Sequence, residues 1–174
     1  MRRKTTMKKE TRLYNMIFPI WLLVFIPWLV FPVAVLNFGI DTLVLLLTLR
    51  HLGVTSKKTV WKKSIIRVVI FGFLGDIVGA LAMIGIDLAL SETRFNKIDY
   101  ALMYNPWSHP VALCIALVCM VFASFVIYKL DKRFAFTKTE LTDIQKKKSA
   151  LALAVFTTPI LFIVPTNLFF GNYY

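Results

Sequence analysis

Three aspartates carry most of the chemical potential of this 174-residue chain, because Asp41, Asp76 and Asp87 fall in or beside long apolar runs while the other six acids fall between them. An ionisable side chain at the centre of a bilayer costs roughly 2.5–3.5 kcal/mol on insertion scales, so it should face protein or water. Asp76 lies nearest the middle of its run. Its type and place fit a group that binds a proton or a cation on a transport path, or an acid that hydrogen-bonds a neighbouring helix. Thr48, Ser124, Thr157 and Thr158 are the candidate structural partners. Asp87, three turns further along, would continue a polar path towards the outer surface, and Asp41 reads as the N-cap of a helix.

The remaining reactive types do not assemble a site. His51 and His109 fall on opposite sides of the membrane in the topology below, so they cannot share a metal. Ser108 precedes His109, but adjacency in sequence does not present a nucleophile to its base, and no nucleophile elbow or HExxH pattern accompanies them. Cys114 and Cys119 are turned about 140° apart on a helix and cannot pair with each other. No metal and no cofactor is expected, and an enzyme is the disfavoured class.

On a helical projection of residues 65–89, Gly72, Gly75, Gly79, Asp76, Met83 and Asp87 share one sector, with Leu74, Ile77, Leu81 and Ile84 largely opposite. Gly75 and Gly79 form a GxxxG pair, which allows close helix contact. The small and acidic face should therefore pack against other spans, with Leu74 and Leu81 towards lipid.

The elements that would position these residues follow from composition and charge. With 58% hydrophobic residues, 14% aromatics and a mean hydropathy of +0.70, the chain is far more apolar than a soluble domain. The expected fold is all-α, a polytopic transmembrane bundle of five spans at about 16–36, 40–55, 65–89, 110–128 and 149–170, after a basic cytoplasmic N-terminus over 1–15. Residues 1–15 resemble a signal peptide in charge, but without a small-residue cleavage pattern they read as the flank of an uncleaved anchor. Pro32, Asn37, Gly39 and Asp41 suggest an outer turn around 32–41.

Of the 21 Lys and Arg residues, nineteen fall in three blocks, at 2–12, 50–67 and 129–148. Basic loops stay in the cytoplasm, so an even number of crossings should separate the blocks, with the N-terminus inside and the C-terminus outside. Residues 91–109, with balanced charges and Tyr100, Tyr104 and Trp107, read as an outer loop with interfacial anchors. Thr137 with Glu140 and Thr142 with Gln145 have capping-box spacing, so a helix should begin before the last span. Pro159 and Pro165 should kink that span.

The net charge of +12 is thereby explained by topology rather than by nucleic acid, which is not an expected partner. The expected partners are the lipid bilayer, anionic lipid at the basic loops, and a second copy or another membrane subunit. The expected location is the cytoplasmic (plasma) membrane. The reading is movement of a small solute or ion with Asp76 as the intramembrane carboxylate. The alternative is a non-catalytic accessory or assembly subunit of a larger membrane complex.

Overall fold

The structure, a computed structural model, describes residues 27–91 and 96–165. Every regular element among them is helical: α1 (Pro27–His51), α2 (Lys57–Ser91), α3 (Asn96–Tyr104), a 3₁₀ turn (Pro106–Ser108), α4 (Pro110–Leu130) passing into a π turn (Asp131–Ala135), α5 (Asp143–Phe156) and a 3₁₀ turn (Ile160–Ile163). Three segments are long and apolar enough to cross a membrane: Phe31–His51, Lys57–Leu90 and Pro110–Ala135.

Two of the five expected spans take a different form. The turn expected around 32–41 is absent, and α1 runs unbroken through Pro32, Asn37 and Gly39. A helix of 25 residues reaches about 37 Å, enough to cross about 30 Å of hydrocarbon alone. The helix-breakers lose because an open turn inside an apolar stretch would strand backbone amides, whereas a proline or glycine within a membrane helix is tolerated. Asp41 is therefore an interior residue of α1 and not an N-cap. The expected first span lies mostly among residues outside those described.

The run expected to span at 149–170 is interrupted. α5 covers 14 residues, about 21 Å, and ends at Phe156. Pro159 disfavours helical backbone at the residue before it, and a 3₁₀ turn follows instead of a kinked continuation. Pro165 ends the described segment, and residues 166–170 lie outside it. Upstream, Thr142 and Gln145 form a reciprocal capping box at 3.3 and 3.0 Å. Thr137 does not cap a helix: its hydroxyl donates to the Phe134 carbonyl at 3.0 Å. The segment read as an outer loop folds into α3, which buries Ala101 and Leu102.

The loop from α1 to α2 shows how sequence closes a helix. Gly53 has φ 68°, a left-handed conformation open to glycine at little cost. Gly53 N–H then reaches the Arg50 carbonyl at 3.2 Å and Val54 N–H the Leu49 carbonyl at 3.1 Å, the bond pair of a Schellman motif. Val54 and Leu49 are both buried in one core cluster, which supplies the apolar contact that usually accompanies this cap.

α2 packs against α1 and α4, and α5 closes the ring by packing against the same two helices. The α2–α4 contact is the closest approach. A Cβ on Gly75 would overlap the Ile127 side chain, and one on Gly79 would sit 2.6 Å from the Ala123 Cβ and 2.9 Å from the Phe162 ring. The matching stripe on α4 consists of Ala112, Ala116, Cys119 and Ala123, all buried, at helical spacing. Leu74, Ile77 and Leu81 are exposed on the opposite side of α2, and Ile84 is half-buried. Only 22–28% of each candidate span is buried within the chain, so most of its apolar surface faces outward, as lipid requires.

The second and third basic blocks meet at one end of the bundle. Arg67 Nη1 on α2 donates to Thr137 Oγ1 at 2.9 Å, joining α2 to the segment after α4. At the other end Trp107 Nε1 donates to the Ile163 carbonyl at 2.8 Å.

Two outcomes follow. Gly79→Leu should lower the melting temperature in detergent by several degrees, since overpacking costs about 1–3 kcal/mol. Leu81→Ala, at an exposed site, should change it little, and equal melting of the two would count against the glycine interface. In a Cys114→Ala, Cys119→Ala background, single cysteines at Ser56 and Glu140 should react with an impermeant thiol reagent from one side of the membrane and a cysteine at Ser108 from the other. Reaction of Ser56→Cys and Glu140→Cys from opposite sides would refute this arrangement.

Candidate functional site

Two apolar clusters occupy the bundle, and a carboxylate layer lies between them. The cluster at the basic end includes Leu45, Leu49, Val68, Ala135, Phe136, Ala150 and Leu153. The other includes Ala80, Met83, Ala112, Ala116, Cys119, Ala123 and Phe162. Along α2 the interval between Val68 and Ala80 holds Asp76. Along α4 and the π turn, the interval between Ala123 and Ala135 holds Asp131. On α1, Asp41 directly precedes the stretch from Val44 that enters the first cluster.

The three carboxylates are electrostatically linked as a chain, with Asp41 acting on Asp76 and also on Asp131. Asp41 is 5% exposed and Asp131 is fully buried. Asp41 Oδ2 lies over Gly72, 3.9 Å from where a Cβ would stand, so the missing side chain leaves room for this carboxylate beside α2. Among the described residues, Asp76 Oδ1 and both oxygens of Asp131 are buried without a hydrogen-bond partner, as are Asp87 Oδ1 further along α2 and the hydroxyl of Ser149 on α5.

No Lys or Arg stands within ion-pair distance of Asp41, Asp76 or Asp131 among the described residues. A buried carboxylate without a counter-charge is strongly penalised, so such a layer requires protons or an external cation to be stable. Among the described residues no three His, Cys, Asp or Glu side chains come close enough to hold a metal ion. The layer is an extended chain of single carboxylates and not a coordination cage.

The hydroxyls proposed as partners for Asp76 are used elsewhere. Thr48, Thr157 and Thr158 donate to the carbonyls of Val44, Leu153 and Ala154 within their own segments. Ser124 Oγ donates to the Met120 carbonyl at 3.0 Å and pairs with Thr158 Oγ1 at 2.9 Å, which ties α4 to the chain after α5. Ser and Thr within helices commonly bond back to the preceding turn, and here that habit commits their protons away from Asp76.

Asp87 belongs to a second polar site. It lies eleven residues after Asp76, about 16 Å along α2, and is 4% exposed. Its carboxyl lies beside that of Asp99 on α3, within reach of a shared hydrogen bond, while its Oδ1 has no partner among the described residues. Two carboxyl groups can share a hydrogen bond only when one of them carries a proton. In sequence Asp99 belongs to a segment between apolar runs, and it comes beside Asp87 only because α3 folds back on α2.

Asp131 likewise follows the fourth apolar run in sequence, yet it is buried. The pattern that locates it is the α4 stripe itself: continuing Ala112, Ala116, Cys119, Ala123 and Ile127 by one more turn reaches Asp131. The remaining reactive residues have local roles. His109 Nδ1 accepts from Val111 N–H at 3.2 Å as the N-cap of α4, and Ser108 Oγ donates to the Asn105 carbonyl at 2.7 Å.

The carboxyl pair can be tested without any transport assay. Asp87→Asn supplies its own N–H to Asp99, so it keeps the α2–α3 bond without needing a proton. Two facing carboxylates repel whenever both are ionised, which opposes folding. The variant should melt several degrees above wild type at pH 9, with the difference narrowing as the pH is lowered towards about 4. A difference independent of pH would contradict the shared proton.

The chain matches no protein-family model, no curated protein and no solved structure.

Proposed function

We propose that this chain is an integral protein of the cytoplasmic membrane that moves protons or a small cation, with Asp76 as the central intramembrane carboxylate. The observation that supports this is the layer of three linked, uncompensated carboxylates on three different segments, held between two apolar clusters. Structural acids are normally satisfied by a hydroxyl, an amide or a basic side chain. Asp131 has none of these on either oxygen.

The order of the carboxylates suggests a direction of passage. Asp131 is nearest the basic end, Asp41 follows, and Asp76 is deeper along α2. A proton or cation entering beside the π turn would pass along Asp131, Asp41 and Asp76. The Asp87–Asp99 pair lies towards the opposite end. The apolar cluster between the two polar sites, containing Ala80, Met83, Cys119 and Ala123, would act as the barrier that has to open.

The accessory-subunit reading draws on the large apolar surface left outside the chain. Lipid accounts for that surface equally well, whereas it does not account for unpartnered buried carboxylates.

The deciding experiment is Asp76→Asn in liposomes under an imposed potential, with cation flux and internal pH followed by dyes. The amide keeps shape and hydrogen-bonding capacity but cannot exchange a proton or neutralise a cation. The variant should melt within about 2 °C of wild type and lose at least about tenfold in flux, a loss of about 1.4 kcal/mol or more in the rate-limiting step. Undiminished flux with Asn at this position would end the role assigned to Asp76.

A further inference from the structure

The basic end of the bundle carries a second, externally facing arrangement that the carboxylate layer does not use. α2 contains 35 residues, about 52 Å, which exceeds the hydrocarbon thickness by more than 20 Å. The excess is its first three turns, Lys57–Arg67, where five basic residues occur without an acid. Arg67 stands at the last of these turns, where the apolar stretch from Val68 begins.

Arg67 is held in place through one nitrogen. Its Nη1 donates to Thr137 Oγ1 at 2.9 Å and lies 3.5 Å from the Phe134 carbonyl. Its other N–H groups make no bond among the described residues. From the π turn, the Arg133 guanidinium carbon sits 5.5 Å from the Phe134 ring centroid. That ring is in turn 6.1 Å from the Phe71 ring on α2.

Two guanidinium groups thus flank one exposed aromatic residue, and among the described residues neither has a carboxylate within ion-pair distance. Ile70 and Leu74 follow Arg67 at i+3 and i+7 on the same stripe of α2 and are both exposed. Cationic donors at the membrane boundary, continuous with an exposed apolar track, match a ligand that has an anionic head and a hydrocarbon tail.

We infer that Arg67 and Arg133 bind the phosphate of an anionic phospholipid whose acyl chain lies along Ile70 and Leu74. Guanidinium groups present several N–H donors to phosphate oxygens in a planar fork, and the stacked Phe134 ring keeps one of them oriented. An acidic protein would satisfy the charge but not the apolar track. The site is independent of the transport reading and stands even if Asp76 is structural.

The test is native mass spectrometry of the full chain released from detergent micelles containing equal phosphatidylglycerol and phosphatidylcholine. Phosphatidylglycerol should be retained in preference, and Arg67→Gln with Arg133→Gln should reduce its retention roughly tenfold, since each basic group near an anionic headgroup contributes a several-fold effect. Lys147→Gln with Lys148→Gln removes the same charge elsewhere at this end and should leave retention within about twofold. If the double arginine variant folds poorly, Arg133→Gln alone, at an exposed side chain, should still lower retention several-fold.

Equal losses in the arginine and lysine variants would reduce the site to general charge attraction and overturn the inference. So would equal retention of the two lipids by wild type, or displacement of phosphatidylglycerol by polyglutamate, which would favour an acidic protein partner.

Discussion

The close approach of α2 and α4 at Gly75 and Gly79 is the contact on which the rest of the arrangement depends. Lipid tails are as apolar as leucine, so membrane helices gain little from hiding apolar side chains from one another. They associate through close packing instead. Gly75 and Gly79 bring the backbone of α2 onto Ala123 and Ile127, with no room for even one methyl group. That contact fixes the height of Asp76 on α2 relative to Asp131, one turn beyond Ile127. Gly72, a turn earlier on the same face, leaves space for Asp41 from α1. A single run of small residues therefore sets both the packing and the spacing of the carboxylates.

Those carboxylates impose an energetic condition. Folded domains are stable by only about 5–15 kcal/mol, and each uncompensated charge taken out of water costs several kcal/mol. Three ionised groups without counter-charges would consume that margin. The chain must hold them neutral or hold something positive among them. A neutral acid needs a hydrogen-bond acceptor for its proton, yet Asp131 has no partner on either oxygen. Asp87 Oδ1 is likewise buried without a partner among the described residues, but Asp87 has Asp99 beside it. Asp131, bare on both oxygens, is where the tension between burial and satisfaction is greatest, and this motivates the proposed role of the layer in exchange.

How far the sequence reveals this depends on the range of the determining interaction. The small and acidic face of α2 is legible because it depends only on spacing along one helix. The capping box of Thr142 and Gln145 is legible because it closes within four residues. The uninterrupted course of α1 is not, since Pro32, Asn37 and Gly39 are breakers in water, and their effect is outweighed where an unsatisfied backbone cannot be solvated. Asp99 and Asp131 are missed for another reason. Each lies in a segment that reads as a loop, and burial comes only from tertiary contact, through α3 folding onto α2 and through the π turn. The alanine and cysteine stripe on α4 could have been extended by a turn to Asp131, but charged neighbours on both sides concealed it.

The π turn resolves how one short stretch can serve both the interior and the surface. At its start the Asp131 N–H is shared between the carbonyls of Ile127 and Tyr128, its α- and 3₁₀-type partners, and the wider π turn follows over Asp131–Ala135. Such widenings shift the register of the residues that follow and occur often at functional positions. Here Asp131 stays in line with the buried stripe and turns inward, while Lys132 and Arg133 turn outward and Ala135 and Phe136 turn in again. Asp131 and Ala135, four residues apart, share the inner face while Lys132 and Arg133 are turned away from it, so a buried acid stands beside an exposed guanidinium. The innermost point of the basic end is therefore an acid. A cation approaching that end meets repulsion at the surface and attraction only beyond it, whereas a proton, which can hop between carboxyl groups and water, is least impeded by the surrounding lysines. In the proposed transport reading, the charge pattern at this entrance favours a proton over a metal cation.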